Sequence, residues 1–516
     1  MTTRRVILVA VLLVLAVVGL APILVMFARS LTADGGFSFA AYRQLLTTER
    51  AWRLLGNSLT LALATALLSM LVGLPMGLLL AKTDLPARRV FVLLFTVPLV
   101  IPPYITAVSW ANLLGKNAHW LFGLPGCVLV LVSTFMPAVM LATMTFARAV
   151  NPRLEEAARL SARPWRMLGG ITIPLIRPGV LLAATLVFLL ALGEFGVPTF
   201  LRYDVFPVES FTQFSAFYNF GAATAAAAPL ALLTFAVLGI EWFVLREKTQ
   251  ALRPAPESGG VVVPLGRHRV WLFVLVSGLC AVAVATPLLS LLAQAGSLDA
   301  YRRAFHTVRD SLLRSVWLAT VGATALTVLG FFVGYLIHTR ALPVWRAVDG
   351  GTVLLFALPG TVIGVGLIAL WNRPATNFIY GTPLMILLGY LAQYTALTGR
   401  VTVAGLTLVP ASMEEAAAMA GAGWLRRLCG IVLPLVKRPL LAGWLLAYIF
   451  CLRDTGITML VYPPGYDTLP VRIFTLMANG APNLIAAACV LMVATTVLPL
   501  LGIALVARVR ERSAWQ

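Results

Sequence analysis

The 516-residue sequence predicts an all-α polytopic membrane protein made of two parallel six-helix repeats, about twelve transmembrane helices in all. Three observations carry this expectation. Hydrophobic residues make up 60% of the chain and charged residues only 11%, whereas a soluble domain carries about 25% charged residues to cover its surface. Apolar runs reach the roughly 20 residues that cross a bilayer, as in Val6–Phe27. The second half of the chain also repeats motifs of the first at a nearly constant offset. Such a composition excludes a soluble multidomain enzyme and a disordered chain. The unbroken runs argue against a membrane β-barrel, whose segments alternate over about 10 residues.

The first apolar run follows Arg4-Arg5. It is too long for a signal-peptide core of about 7–15 residues, so it is expected to stay as an uncleaved first span with its amino end in the cytoplasm. Further spans are expected near residues 56–81, 90–114, 124–147, 179–200 and 224–245. A polar stretch, Arg246–Arg269, holds Pro254, Pro256, Glu257, Ser258, Gly259 and Gly260, the composition of a linker. The second set of spans is expected near 270–294, 312–338, 349–371, 380–405, 439–461 and 484–507. The organisation expected is therefore a first repeat at 1–250, a cytoplasmic linker at 251–269 and a second repeat at 270–516.

The formal charge of +20 fits this topology. With both termini inside, roughly two-thirds of the 39 Lys and Arg residues fall on cytoplasmic loops, as the positive-inside rule requires. The excess charge is thus an orientation signal in a lipid bilayer, and no nucleic-acid partner is expected. Five cysteines, Cys127, Cys280, Cys429, Cys451 and Cys489, lie in or beside apolar segments without a CxxC pair. They read as small membrane-buried hydrophobes. His119, His268, His306 and His338 are scattered, so no bound metal is expected.

The duplication is specific. Gly73-Leu-Pro-Met-Gly77 matches Gly330-Phe-Phe-Val-Gly334, each in the second span of its half. Pro98 and Trp110 match Pro359 and Trp371 at the same separation, and Tyr203-Asp204 through Pro207-Val208 match Tyr466-Asp467 through Pro470-Val471. An even number of spans per half places the repeats in parallel, with a pathway between them, as in transporters. The Gly73/Gly77, Gly330/Gly334 and Gly360/Gly364 pairs have the spacing of close helix packing.

The loop after the fourth span carries the most informative repeat. One copy reads Glu155-Glu156-Ala157-Ala158-Arg159-Leu160-Ser161 and runs to Pro174, within residues 151–174; the other reads Glu414-Glu415-Ala416-Ala417-Ala418-Met419-Ala420-Gly421 and runs to Pro434, within 410–434. Each is expected to be a short cytoplasmic helix whose alanines let a partner approach closely while its carboxylates offer charged acceptors. A second reading stands beside this one. Ser412 and Glu415 have capping-box spacing, and Glu155 and Glu156 follow Asn151-Pro152, where a helix dipole favours acidic residues. Recurrence of the whole loop after the same span favours a paired docking surface.

These residues resemble the EAA loops of binding-protein-dependent ABC importer permeases. The second copy matches in full, through Glu415-Ala416-Ala417, Gly421 and Ile431-x-Leu433-Pro434; the first has Ala162 where the glycine belongs and one residue fewer before Pro174. The resemblance covers both halves and implies a type I permease in fused form. It further implies two ABC ATPase subunits on the cytoplasmic face, one per loop, and a solute-binding protein on the outer face of a bacterial inner membrane. No phosphate-binding loop of the G-x-x-x-x-G-K-[ST] type occurs in the chain. ATP and Mg are therefore expected on the partner ATPase, with no cofactor and no catalytic residue here.

Charges inside spans cost about 2.5–3.5 kcal/mol each on insertion scales and tend to be functional. Glu194 and the equivalent Arg453-Asp454 are therefore candidate pathway or gate residues, or else wet interfacial groups that offset each other. Among fused permeases the chain is most similar to the ferric-iron group, through the Glu155–Arg166 and Tyr462–Pro470 segments. Thiamine, phosphonate and polyamine importers are the alternatives within the class. A proton-coupled secondary transporter is the rival from another class, and it would have no use for paired EAA loops.

Overall fold

The computed structural model describes residues 2–33, 36–160, 163–217, 220–245 and 262–513. Among the described residues the secondary structure is helical apart from a short antiparallel pairing of Thr32–Ala33 with Gly36–Phe37 and a single parallel bridge between Thr83 and Val263. In the first half the main helices are α1 (Thr3–Ser30), α2 (Glu49–Lys82), α3 (Arg88–Val100), α4 (Pro103–Leu114), α5 (Leu124–Ala149), α6 (Pro152–Arg159), α7 (Trp165–Leu192) and α8 (Gly221–Phe243). The second half has α9 (Gly266–Ala295), α10 (Leu298–Thr339), α11 (Trp345–Ala357), α12 (Gly360–Trp371), α13 (Leu384–Leu406), α14 (Ala411–Met419), α15 (Trp424–Arg453) and α16 (Pro482–Ser513). Among the described residues, 9 helices are long and apolar enough to cross a membrane, or up to 12 with each bent pair counted as one span.

The bent pairs correct two expected straight spans. Residues 90–114 turn by 100° between α3 and α4, and 349–371 turn by 107° between α11 and α12. The cause is proline. Ile101 and Leu358, each just before a proline, adopt extended backbone at ψ 140 and 139, because the following ring excludes the helical conformation. A similar break of 78° at Gly381–Pro383 precedes α13.

The expected spans 179–200 and 439–461 also shift. Helices α7 and α15 begin earlier, at Trp165 and Trp424, and end at Leu192 and Arg453, before the short helices Gly196–Phe200 and Thr458–Val461. They run through Pro174 and Pro434 by widening one turn. Four such π turns occur among the described residues, at Ala16–Leu20, Leu168–Thr172, Ala281–Ala285 and Leu428–Val432, each ending two residues before a proline. Proline donates no N–H and crowds the carbonyl one turn back; a π turn absorbs that mismatch without ending the helix.

The chain forms two compact units that do not follow its sequence halves. One comprises Arg50–Val208 with Leu232–Ser297, and the other Met1–Glu49 with Glu209–Ala231 and Leu298–Gln516. In the former, Val276, Cys280 and Val284 of α9 complete a core with Met76, Leu80, Phe95 and Met140. In the latter, Val11 and Leu15 of α1 pack on Leu329 and Val333 of α10. The opening helix of each sequence half is thus built into the unit made mostly of the other half.

Glycines set the helix crossings. A β-carbon at Gly77 would lie 2.5 Å from Cβ of Thr143 on α5, and one at Gly334 would lie 2.7 Å from a backbone oxygen of Gly399 on α13. Helices α2 and α10 therefore approach the following long helix more closely than any side chain allows. Of the cysteines, Cys127, Cys280, Cys451 and Cys489 are buried. Cys429 departs from the expectation: it is exposed on the π turn of α15.

Candidate functional site

The first duplicated loop is α6 and the start of α7. Asn151 caps α6 by accepting the Arg153 N–H at 3.1 Å, and Pro152 fills the first turn, where no N–H is needed. Glu155 is fully buried. Its carboxylate accepts from Lys82 Nζ at 2.6 Å and from the Thr172 hydroxyl at 2.9 Å. It therefore points into the protein, while Glu156 and Ala157 are exposed. Ala158 is half-buried against a cluster of Met167, Leu168 and Val263. Ser161 and Ala162, where the loop departs from the EAA pattern, lie outside the described residues.

A strap borders this loop. The Val263 N–H donates to the Lys82 carbonyl at 2.7 Å, and the Leu265 N–H donates to the Asp84 carboxylate at 2.9 Å. Arg159 donates to the Val262 carbonyl at 3.3 Å. The stretch expected as linker thus ends in residues packed onto the end of α2; residues 246–261 lie outside the described residues.

The second loop is α14 and the start of α15. Glu415 and Ala416 are exposed, and Glu414 and Ala417 are half-buried. The capping box of Ser412 with Glu415 is not made: α14 starts after Pro410 without a side-chain cap, so Ser412 already lies within the first turn. Gly421 ends the helix with φ 79. Its N–H donates to the Ala418 carbonyl and that of Ala422 to the Ala417 carbonyl, both at 3.0 Å, the paired bonds of a Schellman stop. Trp424 Nε1 donates to the Tyr335 hydroxyl at 3.0 Å. Arg4 lies over the Tyr335 ring and donates to Thr339 Oγ1 at 3.0 Å.

The charged residues near the ends of α7 and α15 occupy matching breaks. Glu194 Oε1 accepts from the N–H groups of Gly196 and Val197 at 3.1 and 3.4 Å. Asp454 Oδ2 accepts from the N–H and hydroxyl of Thr458 at 2.9 and 2.7 Å, and Oδ1 accepts from the Tyr394 hydroxyl at 2.8 Å. Each carboxylate therefore caps the short helix that follows its break. Arg453 stacks over the Phe450 ring, 5.0 Å from its centroid.

Sequence reading missed Lys82, Thr172, Tyr335 and Trp424. A lysine closing an apolar span looks like one more orientation charge, and Thr172 sits in the repeated Ile-x-x-Pro stretch without any mark of its own. The offset of the Gly77 and Gly334 motifs was the available signal for Lys82, since it sets Lys82 against Thr339. Among the described residues no group of three or more His, Cys, Asp or Glu side chains could hold a metal ion.

A duplicated, multi-pass helical protein with the same exposed helix and π turn after the equivalent helix of each half is a membrane transport permease. The comparisons make the assignment specific: the chain belongs to the family of binding-protein-dependent transport system inner membrane components, whose model matches twice, at residues 69–246 and 265–511. Relatives include a putative ferric transport system permease of Haemophilus influenzae, 22% identical over 88% of this chain and 77% of its own length. A ferric transport system permease of Actinobacillus pleuropneumoniae is 22% identical over 81% of this chain and 65% of its own. The molybdenum transport permease of Escherichia coli is 29% identical over its full length but only 40% of this chain. The family is one of ABC importer permeases of the inner membrane, so the chain is a transport subunit, with the all-α polytopic fold read from its sequence.

Proposed function

We propose that the chain forms the permease of an ATP-driven importer, carrying ferric iron delivered by an extracytoplasmic binding protein. Its amino and carboxyl ends lie in the cytoplasm, and its repeats are 1–250 and 270–516, joined by a cytoplasmic linker. The loops at α6 and α14 each seat one ABC ATPase subunit. Glu156, Ala157, Glu415, Ala416, Ala417 and Gly421 form the docking face, with Glu155, Ala158 and Glu414 supporting it. Hydrolysis belongs to the ATPases, which also hold ATP and Mg.

The observation that carries this reading is the recurrence of an exposed Glu-Ala pair, on a short helix backed by a π turn, in both copies. Capping does not account for it, because neither Glu156 nor Glu415 closes its own helix. Ferric iron is supported by relatives that align with most of the chain and are named as ferric transport permeases. Permeases named for molybdenum, 2-aminoethylphosphonate or spermidine and putrescine align with about two-fifths of the chain.

Glu194, Arg453 and Asp454 are proposed as gate residues, the two carboxylates setting where each transmembrane segment breaks. The test is uptake in proteoliposomes containing the chain, its ATPase and its binding protein. ATP-dependent accumulation of iron(III), with molybdate, 2-aminoethylphosphonate and spermidine left outside, is the expected result. Uptake driven by a proton gradient without ATPase would end the importer reading, and accumulation of another solute would replace iron.

A further inference from the structure

The two coupling loops are not held alike. In the first, Lys82 and Glu155 form an ion pair at 2.6 Å with side chains 1% and 0% exposed. Charges taken so far out of water need their remaining hydrogen-bonding capacity met, and the Thr172 hydroxyl meets that of Glu155. Three elements join at this point: the last residue of α2, the middle of α6 and the π turn of α7. The Val262–Leu265 strap closes over the same end of α2.

In the second copy the motif offsets set Thr339 opposite Lys82, and Val432 opposite Thr172. Thr339 carries no cation to replace Lys82, and Val432 carries no hydroxyl to replace that of Thr172. Thr339 instead donates to the Tyr335 carbonyl and accepts from Arg4, and Glu414 is half-buried. The contacts there are Trp424–Tyr335–Arg4 at the loop's far end and a 3.4 Å hydrogen bond from the Arg427 guanidinium to the Glu414 carbonyl, with no carboxylate–cation pair like that of Glu155 among the described residues.

We propose that Lys82 is a positioning residue that locks α6 to α2 through Glu155, making the first coupling loop a rigid lever on α2 and leaving the second compliant. The lever role rests on the coupling reading above; the lock itself does not. Two measurements separate them.

The first is hydrogen exchange on the full-length chain alone in lipid nanodiscs. The amides of α6 are expected to exchange about tenfold more slowly than those of α14, and Lys82→Met to erase the difference by speeding α6 only. Lys82→Arg should restore protection, because it keeps the cation. Equal exchange in the unmutated chain, or no response of α6 to Lys82→Met, overturns the lock. Should Lys82→Met fail to accumulate, the neutral pair Lys82→Met with Glu155→Gln keeps volume and the Thr172 bond, and it is expected to loosen α6 in the same way.

The second uses the chain assembled with its ATPase, with spin labels at Leu71 on α2 and Arg153 on α6, both exposed. Their distance should stay fixed when ATP is added and broaden in Lys82→Met while ATPase binding persists. A label distance that changes with ATP in the unmutated chain overturns the lever. Absence of any bound ATPase overturns the coupling reading itself, whatever the exchange result.

Discussion

At Asp454 one buried carboxylate accepts three hydrogen bonds, from the Thr458 N–H and hydroxyl and from the Tyr394 hydroxyl. Replacement by alanine leaves those donors inside the protein with nothing to bind, at about 1–3 kcal/mol for each. Asp454→Ala is therefore expected to lower the midpoint of thermal unfolding in detergent sharply, and Asp454→Asn, which keeps an acceptor, to lower it less. Gly77 offers a cleaner steric case. With Cβ of Thr143 2.5 Å from where a side chain would begin, Gly77→Val should cost about 1–3 kcal/mol as overpacking. Gly56, with nothing within 4 Å, should tolerate the same change, and the pair can be compared by thermal unfolding. Gly421 is conformational: its φ of 79 puts any β-branched residue in a strained region, so Gly421→Val should fray the end of α14, visible as faster amide exchange at Ala416–Ala422.

Among the elements, the long apolar helices were legible because hydropathy alone marks them. Where they stop being straight was not. Prolines at 98, 102, 103 and 359 lie inside runs apolar enough to read as continuous spans, and only the backbone of Ile101 and Leu358 reveals the turns of 100° and 107°. At Pro174 and Pro434, by contrast, a π turn carried the helix through, so α7 and α15 begin well before the spans expected at 179–200 and 439–461. The two duplicated loops were legible as motifs because small and acidic residues recur at one spacing. Which glutamate faces outward was not, since it depends on Lys82, a residue 73 positions away in sequence. The strap is open to a direct test. Val263 is 1% exposed against Met167 and Leu168, so Val263→Asp buries an unpaired charge there. It should raise amide exchange through Met167–Thr172 and leave the Leu428–Val432 turn unchanged.

For the molecule as a whole, the duplication was visible but its interlocking was not, because contact between α1 and α10, or between α9 and α3, leaves no local mark on sequence. Each compact unit takes its opening helix from the other sequence half. Fragments 1–250 and 251–516 expressed separately are therefore expected to be degraded, each exposing the surface that its missing helix covers. Expressed together, they should accumulate and purify as a pair; stable accumulation of either fragment alone would argue that the exchange is dispensable. The same duplication places an exposed glutamate on each of two loops, and the proposal that the chain serves an ATP-driven importer rests on that recurrence. The most direct measurement is cross-linking of single cysteines placed as Glu156→Cys and Glu415→Cys to the ATPase co-expressed with the chain. The account predicts that both positions cross-link to an ATPase subunit, and that Glu156→Lys with Glu415→Lys abolishes capture and ATP-driven uptake together. Uptake that persists in that double variant, with no ATPase cross-linked at either position, would contradict it.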